Sequence, residues 1–413
     1  MELFFPIVLD GANGTELQKR GYDGSMCTEA WVLENPEVMR QLQRDYAAAG
    51  SDVVYAPTFG ANRVKLEENG FFNQVGQFNR DLVRVSKEAV GNRAMIAGDI
   101  TSTGKFLEPL GDLSFDELYE IYHEQAEALE EAGVDMYAIE TIMTVPDARA
   151  ALLAVRDVSD KPVLVSFTCD AGGRTMTGTD VCAALVIMQS MGADAFGLNC
   201  STGPAEMLEQ FRRLGEYAEV PLAVKPNAGM PKIRNGETVY DCGPDEFAEY
   251  TDSFIEAGAV LFGGCCGTGP EHIQKLKAAL ENFDTHRSLP GSQNESRRGR
   301  DGKIVCATEK DVFVFDPGVQ AERVLPCGAG LEDAINAENR RGSAVIAVGI
   351  NSEEDLDEFA AAQYAIRRPL CIVCEDAKLL DRALALYQGR AMYAGSLADE
   401  ELLPLAKKYG MIY

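Results

Sequence analysis

The chain has 413 residues, of which 46% are hydrophobic and 25% are charged. This composition is typical of a globular protein with a large core, and it excludes a mainly disordered or collagen-like chain. The 38 Lys and Arg residues and the 65 Asp and Glu residues give a net charge of −27, which repels phosphate backbones and anionic lipid headgroups. Nucleic-acid and membrane partners are therefore not expected. The length predicts two unequal domains.

The sequence shows no targeting or membrane-spanning segment. No stretch approaches the roughly 18 consecutive apolar residues of a membrane span, and the apolar opening FFPIVL follows Glu2 instead of a basic segment. Eleven cysteines in such a chain argue against a disulfide scaffold, because the cytosol keeps thiols reduced. We therefore predict a cytoplasmic protein, with some of its cysteines available to bind metal.

A helix that ends in Gly, followed by a short apolar strand, recurs four times. Each glycine stands where a helix C-cap needs positive φ, and the β-branched and aliphatic runs after them are typical of buried parallel strands. These glycines are Gly50, Gly133, Gly192 and Gly258. Four further apolar runs complete a set of eight predicted strands: 5–10, 94–100, 162–168 and 221–227.

The segments between these strands are helical in pattern. They include Pro36–Ala49, Ser114–Ala132, Pro146–Val158 and Pro204–Tyr217. Eight βα units in succession have the size and rhythm of a TIM barrel. We therefore predict an α/β fold, a (β/α)8 TIM barrel, over residues 1–284. A doubly wound open sheet is the alternative, since periodicity cannot show whether a sheet closes.

Residues 285–303 form a predicted linker, because they are polar, rich in Gly and Ser, and interrupt the pattern. This composition predicts few contacts between the regions on either side. Strand-like and helical runs then alternate: 343–350, 352–366, 369–374, 377–387 and 391–396. We predict a second, smaller α/β domain over residues 304–413, too short for another full barrel.

The working residues of a βα barrel come from the C-terminal ends of its strands. Here those ends supply Asp10, Asp99, Glu140, Asn199 with Cys200, Asn227, and Cys265 with Cys266. Three cysteines thus converge on one rim. Adjacent residues on a regular strand point to opposite faces, but the glycines of GGCCGTG (263–269) allow the backbone to turn both sulfurs inward.

Three thiolates with an open fourth position are the arrangement of a catalytic zinc site, and zinc suits soft sulfur ligands. Other interpretations remain open at this point. Cys200 can be a small buried core residue, and Cys265 with Cys266 can be a packing pair or a vicinal disulfide. Lys225 also permits the Schiff-base chemistry of a barrel lyase.

Seven segments, in order from about residue 5 to 284, resemble the homocysteine S-methyltransferase family. They are DGANGTELQKRG from Asp10, APTFGANRVKL from Ala56, GDITSTGKFLEPLG from Gly98, IET from Ile139, NCSTGP from Asn199, KPNAG from Lys225 and GGCCGTGPEHI from Gly263. The NC and GGCC elements match the three zinc ligands of that family. The resemblance therefore implies Zn²⁺ bound by Cys200, Cys265 and Cys266, homocysteine as substrate and methionine as product.

The chemistry of thiols is consistent with this implication. Only a thiolate attacks a methyl group well, and a free thiol is mostly protonated at neutral pH. Zinc coordination removes the proton and holds the sulfur as a nucleophile, so no further catalytic residue is predicted. Asn227 is a candidate fourth zinc ligand in the absence of substrate. The alternative for Asn227 is a loop-forming residue.

An amino-acid substrate also needs partners for its charged ends. The turn through Gly11, Ala12 and Asn13 can aim backbone N–H groups at a carboxylate. Glu140 and Asp10 can receive the ammonium group, and the family resemblance supports both assignments. The alternatives are a helix N-cap for Asp10 and a salt bridge inside the rim for Glu140.

The methyl donor is not decided by the sequence. Residues 351–410 weakly resemble part of the pterin-binding barrel of cobalamin-dependent methionine synthases, but they lack the polar strand ends of that pocket, so a docking or scaffold role is as well supported. No cobalamin-binding module follows Tyr413, so a methylcobalamin donor is expected on a separate corrinoid protein, with S-methylmethionine or a betaine-like compound as the other option.

A non-catalytic zinc-thiolate or corrinoid-docking module is the competing class of function. The presence of Asp10 and Glu140 favours the enzyme.

Overall fold

The computed structural model describes residues 5–108, 110–234, 237–283 and 302–413. Its strands are β1 Ile7–Val8, β2 Val53–Tyr55, β3 Met95–Ile100, β4 Met136–Ile142, β5 Val163–Phe167, β6 Ala195–Asn199, β7 Leu222–Lys225, β8 Lys232–Arg234, β9 Glu237–Val239, β10 Ala259–Phe262, β11 Ile304–Ala307, β12 Val312–Phe315, β13 Val324–Pro326, β14 Ile346–Gly349, β15 Leu370–Val373 and β16 Met392–Ala394. Its α-helices are α1 Gly14–Lys19, α2 Thr28–Glu34, α3 Pro36–Ala49, α4 Arg63–Glu68, α5 Val75–Val90, α6 Phe115–Ala132, α7 Val145–Val158, α8 Val181–Ser190, α9 Pro204–Leu214, α10 Pro244–Glu249, α11 Thr251–Glu256, α12 Pro270–Ala279, α13 Leu331–Arg341, α14 Glu353–Ala362, α15 Ala377–Leu386 and α16 Asp399–Tyr409. Two 3₁₀ helices cover Leu280–Asn282 and Gln363–Ala365.

Eight parallel strands form the predicted TIM barrel. Their order around the sheet is β1, β10, β7, β6, β5, β4, β3 and β2, and each hydrogen-bonded pair is parallel. The eight predicted strands all lie in this sheet. An antiparallel hairpin, β8 with β9, follows β7 and was not predicted.

The two ends of the sheet, β1 and β2, are joined partly through side chains. The Asp52 N–H donates to Val8 O at 2.6 Å, and the Asp52 carboxylate accepts from the Val8 N–H at 2.8 Å. Nearer the C-terminal rim, Asp10 Oδ2 accepts from the Tyr55 N–H at 2.8 Å. These bonds bring the ends together, so the open doubly wound sheet is not the fold.

The helix ends follow the local signals of the sequence. At the start of α6, the Glu117 N–H donates to Ser114 Oγ at 3.2 Å and the Ser114 N–H donates to Glu117 Oε2 at 2.9 Å, which is a capping box. At its end, Gly133 has φ of 73°, as predicted for a left-handed C-cap. Within the described ranges, no helix is long and apolar enough to cross a membrane.

The barrel interior is apolar near the N-terminal ends of the strands and polar near their C-terminal ends. Ala97 on β3 and Ala138 on β4 belong to the inner apolar cluster. Because alternate residues of a strand face the same side, Asp99 and Glu140 follow them on the inward face. The charged layer therefore lies at the end of the barrel where the βα loops meet.

Residues 302–413 contain a four-stranded parallel sheet, in the order β13, β14, β15, β16, and the antiparallel hairpin β11–β12. Helices α13, α14 and α15 connect the successive parallel strands. This agrees with the predicted smaller α/β domain. The predicted linker at 285–303 lies outside the described residues except for 302 and 303, and the domain boundaries remain predictions.

The barrel and the second sheet region pack closely, so the expectation of few contacts between them is wrong. Helix α8 is apolar and buried over Val181–Met188, and the hairpin β11–β12 packs against it. Arg149 on α7 is fully buried, and its guanidinium donates to Leu384 O at 2.7 Å and Ala385 O at 3.0 Å. The linker composition could not reveal these contacts, because they involve helices far from it in sequence.

Arg149→Met should destabilise the protein by about 2 kcal/mol, because it leaves two buried carbonyls at the end of α15 without donors. We expect a fall of several degrees in the Tm measured by calorimetry. Arg80→Met on α5 is the control, since Arg80 is exposed and lies 3.2 Å from Glu131 in a surface ion pair. Equal Tm shifts for the two variants would contradict the role given to Arg149.

Candidate metal centre and substrate site

Three thiols converge at the C-terminal rim of the barrel. Cys200 follows β6, and Cys265 and Cys266 lie just beyond β10. Their three Sγ atoms lie within 4.8 Å of one another, and Cys200 Sγ lies 3.9 Å from Cys266 Sγ. Both Cys265 and Cys266 are free thiols, so the vicinal disulfide considered from the sequence is not present.

The backbone around these thiols is shaped to bring the sulfurs together. Cys200 and Ser201 have φ of 63° and 59°, a left-handed conformation that non-glycine residues seldom adopt outside functional sites. The Ala228 N–H donates to Cys266 O at 2.9 Å and the Cys265 N–H donates to Pro226 O at 2.8 Å. The loops after β7 and β10 are therefore tied to each other beneath the cluster.

The cluster has the donor set and spacing of a three-thiolate metal site. A tetrahedral zinc ion with bonds of about 2.3 Å separates its sulfur ligands by roughly 3.8 Å, close to the observed 3.9 Å between Cys200 and Cys266. Hydrogen bonds from Cys200 and Cys265 lower the pKa of Cys266 to about 3. The same bonds and burial raise the pKa of Cys265 well above its usual range. The three residues can therefore hold a metal ion, and the hydrogen bonds to Cys266 favour its thiolate form.

Asn227 lies in the loop after β7, which contacts the thiol cluster. Its N–H donates to Thr202 O at 3.0 Å, and its side chain is buried with Oδ1 unpaired among the described residues. A buried amide oxygen without a donor is uncommon and indicates a missing ligand. Its role as a fourth metal ligand remains a prediction.

Lys225 joins two of the predicted substrate-binding carboxylates. Its Nζ lies 3.2 Å from Glu140 Oε2 and 3.4 Å from Asp10 Oδ1, and 3.5 Å from the centre of the Tyr55 ring. The predicted alternative of a salt bridge for Glu140 is therefore what the structure shows. The N-cap alternative for Asp10 is wrong, because Asn13 is the N-cap residue of α1.

The charges of this group follow from its burial. Burial raises the pKa of Asp10 to about 6, although Lys225 and the Tyr55 N–H oppose that shift. Burial alone lowers the pKa of Lys225, but Glu140, Tyr55 and Asp10 outweigh it and raise the value well above the usual range. Lys225 is therefore a permanent cation. Because a Schiff base needs a neutral amine, this argues against the barrel-lyase alternative.

The predicted carboxylate-binding turn lies on the same rim. The Ala12 N–H donates to Thr268 O and to Thr268 Oγ1, both at 3.2 Å, so a substrate carboxylate would compete with Thr268 for that donor. Gly11 lies against Tyr46, where a Cβ would come within 2.8 Å of the ring. Asn13 Oδ1 is buried and unpaired among the described residues. The structure thus brings the turn to the site, and its binding role remains a prediction.

Asn199 connects the thiol cluster to the C-terminal end of β4, a role that the sequence did not suggest. Its Oδ1 accepts from the Thr141 N–H and from Ser166 Oγ, each at 2.9 Å. Its Nδ2 donates to Thr141 Oγ1 at 2.7 Å and approaches Cys265 Sγ at 3.9 Å. The only sequence signal was its place at a strand end, immediately before Cys200.

Tyr240, in the segment after β9, is a second residue that sequence reasoning missed. Its ring packs against Gly267, where a Cβ would lie 2.5 Å from Tyr240 Cβ and Cγ. Burial and the nearby Cys266 sulfur raise the pKa of its hydroxyl. Gly267 is thus required for space as well as for its φ of 84°. No motif in the sequence links position 240 to the cysteines.

Residues 7–280 match the sequence profile of a family described as homocysteine S-methyltransferase. The match covers well over half of the chain and includes every residue of the site. The chain belongs to the homocysteine S-methyltransferase family. The family resemblance seen in the seven motifs is thereby confirmed.

Two curated relatives of this family member are methionine synthases. The protein of Mycobacterium tuberculosis (strain ATCC 25618 / H37Rv) is 32% identical over 297 residues, which cover 67% of this chain and 25% of that protein. The protein of Mycobacterium leprae (strain TN) is 33% identical over 294 residues, which cover 66% of this chain and 24% of that protein. The chain therefore spans about a quarter of the length of the curated relatives that it matches.

Solved structures of the homocysteine methyltransferase MmuM from Escherichia coli share the barrel fold. The oxidized form has a TM-score of 0.56 and 25% sequence identity, and the match covers 66% of this chain and 95% of that chain. The metallated form has the same TM-score, 24% identity and the same coverage. These matches support the barrel and leave the second α/β region without a counterpart in that enzyme.

Proposed function

We propose that this protein is a zinc-dependent methyltransferase that transfers a methyl group to the sulfur of homocysteine and forms methionine. The observation that carries the proposal is the convergence of three free thiols on the barrel rim, next to a buried layer of carboxyl groups. Membership of the family and a structural neighbour described as metallated support it. The unpaired state of all eleven cysteines supports a reducing, cytoplasmic location.

In this proposal Cys200, Cys265 and Cys266 hold Zn²⁺, and Asn227 Oδ1 is the fourth ligand before substrate binds. Bound zinc supplies the positive charge that favours the thiolate form of the substrate at neutral pH. During transfer the bond from the donor to the methyl carbon breaks as the sulfur–carbon bond forms, and the thiol proton leaves to solvent. The three cysteines are partly buried in the rim, which limits the access of water to the reacting sulfur.

The other residues of the site orient the amino-acid part of the substrate. Asp10 and Glu140 accept hydrogen bonds from its ammonium group, and the turn through Gly11, Ala12 and Asn13 faces its carboxylate. The ammonium of Lys225, between Asp10 and Glu140, holds the two acidic side chains in place. An ammonium fixed at this layer holds the substrate sulfur toward the thiol cluster, which lowers the entropic cost of reaching the reactive geometry.

We favour a methyl donor carried on a partner protein, namely a methylcorrinoid protein, over free S-methylmethionine or a betaine-like compound. Large apolar side chains are exposed on the loops that follow the barrel strands: Phe59, Phe106, Leu110, Met176 and Met230. Leu110 is 81% exposed. Exposed apolar side chains around the mouth of a site support contact with a partner protein, whereas a small donor needs none of them.

The test is methionine formation by the purified full chain loaded with zinc. We expect product from homocysteine and methylcobalamin, and a faster rate when methylcobalamin is presented on a corrinoid protein. Metal-free protein is the control and should form none. A methylcorrinoid protein, S-methylmethionine and a betaine-like compound are the three types of donor to be tried. If the protein binds homocysteine but forms methionine with none of them, it is not this enzyme, and a zinc-thiolate docking module becomes the better interpretation. Turnover with S-methylmethionine alone would overturn our choice of donor.

A further inference from the structure

The C-terminal end of β5 holds both chain neighbours of Cys200. Ser166, on β5, donates through Oγ to Asn199 Oδ1 at 2.9 Å. Thr168, just beyond the strand, is hydrogen-bonded through Oγ1 to Ser201 Oγ. Cys200 lies between these two bonded residues in the chain. The position of its sulfur therefore depends on where β5 ends and the next loop begins.

The turn at Cys200 needs this support because its backbone is strained. Cys200 and Ser201 have φ of 63° and 59°, a left-handed conformation that non-glycine residues keep only when their surroundings hold them in it. Thr168 supplies one of these contacts through its bond to Ser201. A shift of Thr168 lets the turn relax, and Cys200 then moves away from Cys265 and Cys266.

The second α/β region holds the tip of the loop that follows β5, residues 168–180. Lys310 and Asp311 lie in the turn between β11 and β12. Lys310 Nζ donates to Thr177 O at 2.7 Å, and the Arg174 guanidinium lies 3.2 Å from Asp311 Oδ1. One turn of the hairpin thus contacts the loop at two places.

Further bonds connect the tip of this loop to its base. Between the two, the Asp170 N–H donates to Arg174 O at 2.8 Å and Asp170 Oδ1 accepts from the Arg174 N–H at 3.0 Å. At the last residue of the loop, the Asp180 N–H donates to Lys310 O at 2.9 Å, and Asp180 Oδ2 lies 2.5 Å from Arg213 on α9. A displacement of the tip is therefore passed to the ends of the loop and is not absorbed within it.

The Lys310 contact differs from an ordinary surface ion pair. An exposed pair such as Arg174 with Asp311 contributes little by itself. The Lys310 side chain is only 26% exposed, and its ammonium meets a main-chain oxygen of the loop. A charged donor on a main-chain acceptor fixes the path of the backbone, and such bonds are stronger than those between neutral groups.

We propose that residues 302–413 are part of the catalytic unit, with Lys310 as a positioning residue that holds the loop after β5 and, through Thr168 and Ser201, the sulfur of Cys200. This inference rests on the proposed function, which supplies the metal and the reaction. The second α/β region then acts on the reaction itself, besides any contact with the methyl donor. Loss of the Lys310 contact keeps all three thiols in the chain but loosens the geometry in which they converge.

Lys310→Met tests the proposal in the full chain. It removes the donor to Thr177 O but leaves the turn intact, because the Thr308 N–H donates to Asp311 O at 3.0 Å. Hydrogen exchange of residues 169–180 measures how firmly the loop is held. The visible spectrum of the Co²⁺-substituted protein reports the arrangement of the sulfur ligands. Methionine formation with free methylcobalamin gives kcat, and KM for homocysteine, without a partner protein.

We expect exchange in the loop to become about tenfold faster or more, the Co²⁺ bands to shift, and kcat to fall by about ten- to a hundredfold. KM for homocysteine should change by less than about twofold, because the groups that orient its amino-acid part are untouched. Lys310→Arg keeps a donor for Thr177 O and should restore the exchange, the spectrum and kcat. Lys408→Met is the matched control and should change none of them, since its ion pair with Asp381 lies within the second region.

The possible outcomes separate this inference from the function on which it rests. Unchanged exchange would overturn it at the first step, and faster exchange with an unchanged spectrum and kcat would show that the second region covers the loop without positioning Cys200. If Lys310→Met does not fold, Asp311→Asn takes its place and should give smaller changes in the same direction. If the wild type binds Co²⁺ but forms no methionine, the proposed function fails, while exchange and spectrum still decide whether Lys310 positions Cys200. If it binds no Co²⁺, both fail.

Discussion

Replacing Cys266 with serine should remove most of the bound metal and lower the rate of methionine formation by about a thousandfold or more. A hydroxyl is a far weaker zinc ligand than a thiolate, and loss of the metal removes several kcal/mol of stabilisation from the reacting thiolate, at 1.4 kcal/mol for each factor of ten. Cys266 is also the thiol whose pKa is lowered to about 3 by its two neighbours. Metal analysis and a methionine assay measure the two effects.

Cys242→Ser provides the matched control for this prediction. Cys242 is a buried free cysteine near the same loops, and its N–H donates to Ala228 O at 3.0 Å. Its sulfur is not part of the cluster, so the variant should retain a full complement of zinc and nearly normal turnover. The barrel itself should stay folded in both variants, because a core of this size does not depend on one ion. Full zinc content in Cys266→Ser would refute the proposed ligand set.

Lys225→Met should lower the free energy of unfolding of the barrel by about 3–5 kcal/mol, because it leaves Asp10 and Glu140 buried without their cation. Lys277→Met is the control, since Lys277 lies 3.4 Å from Asp52 at a half-exposed site and should cost less than about 1 kcal/mol. Urea unfolding followed by the fluorescence of Trp31, the single tryptophan and a barrel residue, measures both variants. Similar losses for the two would show that the buried pairing is unimportant.

The loss caused by Lys225→Met should be larger at pH 8 than at pH 5. Burial already raises the pKa of Asp10 to about 6, and removal of the nearby ammonium raises it further. A carboxyl group whose pKa is higher in the folded state than its unfolded value of about 3.9 destabilises the protein as the pH rises through the interval between the two values. In the variant the folded-state pKa of Asp10 is higher, so the interval between the two pKa values extends further upward. The difference in the free energy of unfolding between the variant and the wild type therefore grows between pH 5 and pH 8. A loss that is independent of pH would show that Asp10 does not carry the effect.

The barrel was predictable because its signals are local. The period of the apolar residues identifies each strand, and a glycine at a helix end is required by the left-handed turn that it occupies, as Gly133 illustrates with φ of 73°. Once eight βα units are counted, the C-terminal ends of the strands must meet on one rim. That geometric rule predicts from the sequence that Cys200 lies near Cys265 and Cys266.

The pairing of charges inside the barrel could not be read from the sequence. Asp10, Asp99, Glu140 and Lys225 are separated by tens of residues: Asp10 lies just beyond β1, and the others lie on β3, β4 and β7. Which of them meet depends on the direction of each side chain and on the register of strands that are distant in sequence. Lys225 therefore seemed a candidate nucleophile, whereas the structure places its ammonium between two carboxylates.

The sequence alone determined the eight strands of the barrel, the rim on which the chemistry lies, and the family resemblance, because hydrophobic period, turn residues and short motifs are encoded within a few consecutive positions. Only the tertiary structure decided which acids share Lys225, how Asn199 and Tyr240 reach the thiol cluster, and that Arg149 and α8 are buried against the second α/β region. These features are contacts between residues far apart in the chain. Their free energies depend on burial and on distances of a few ångströms, which local sequence patterns do not specify.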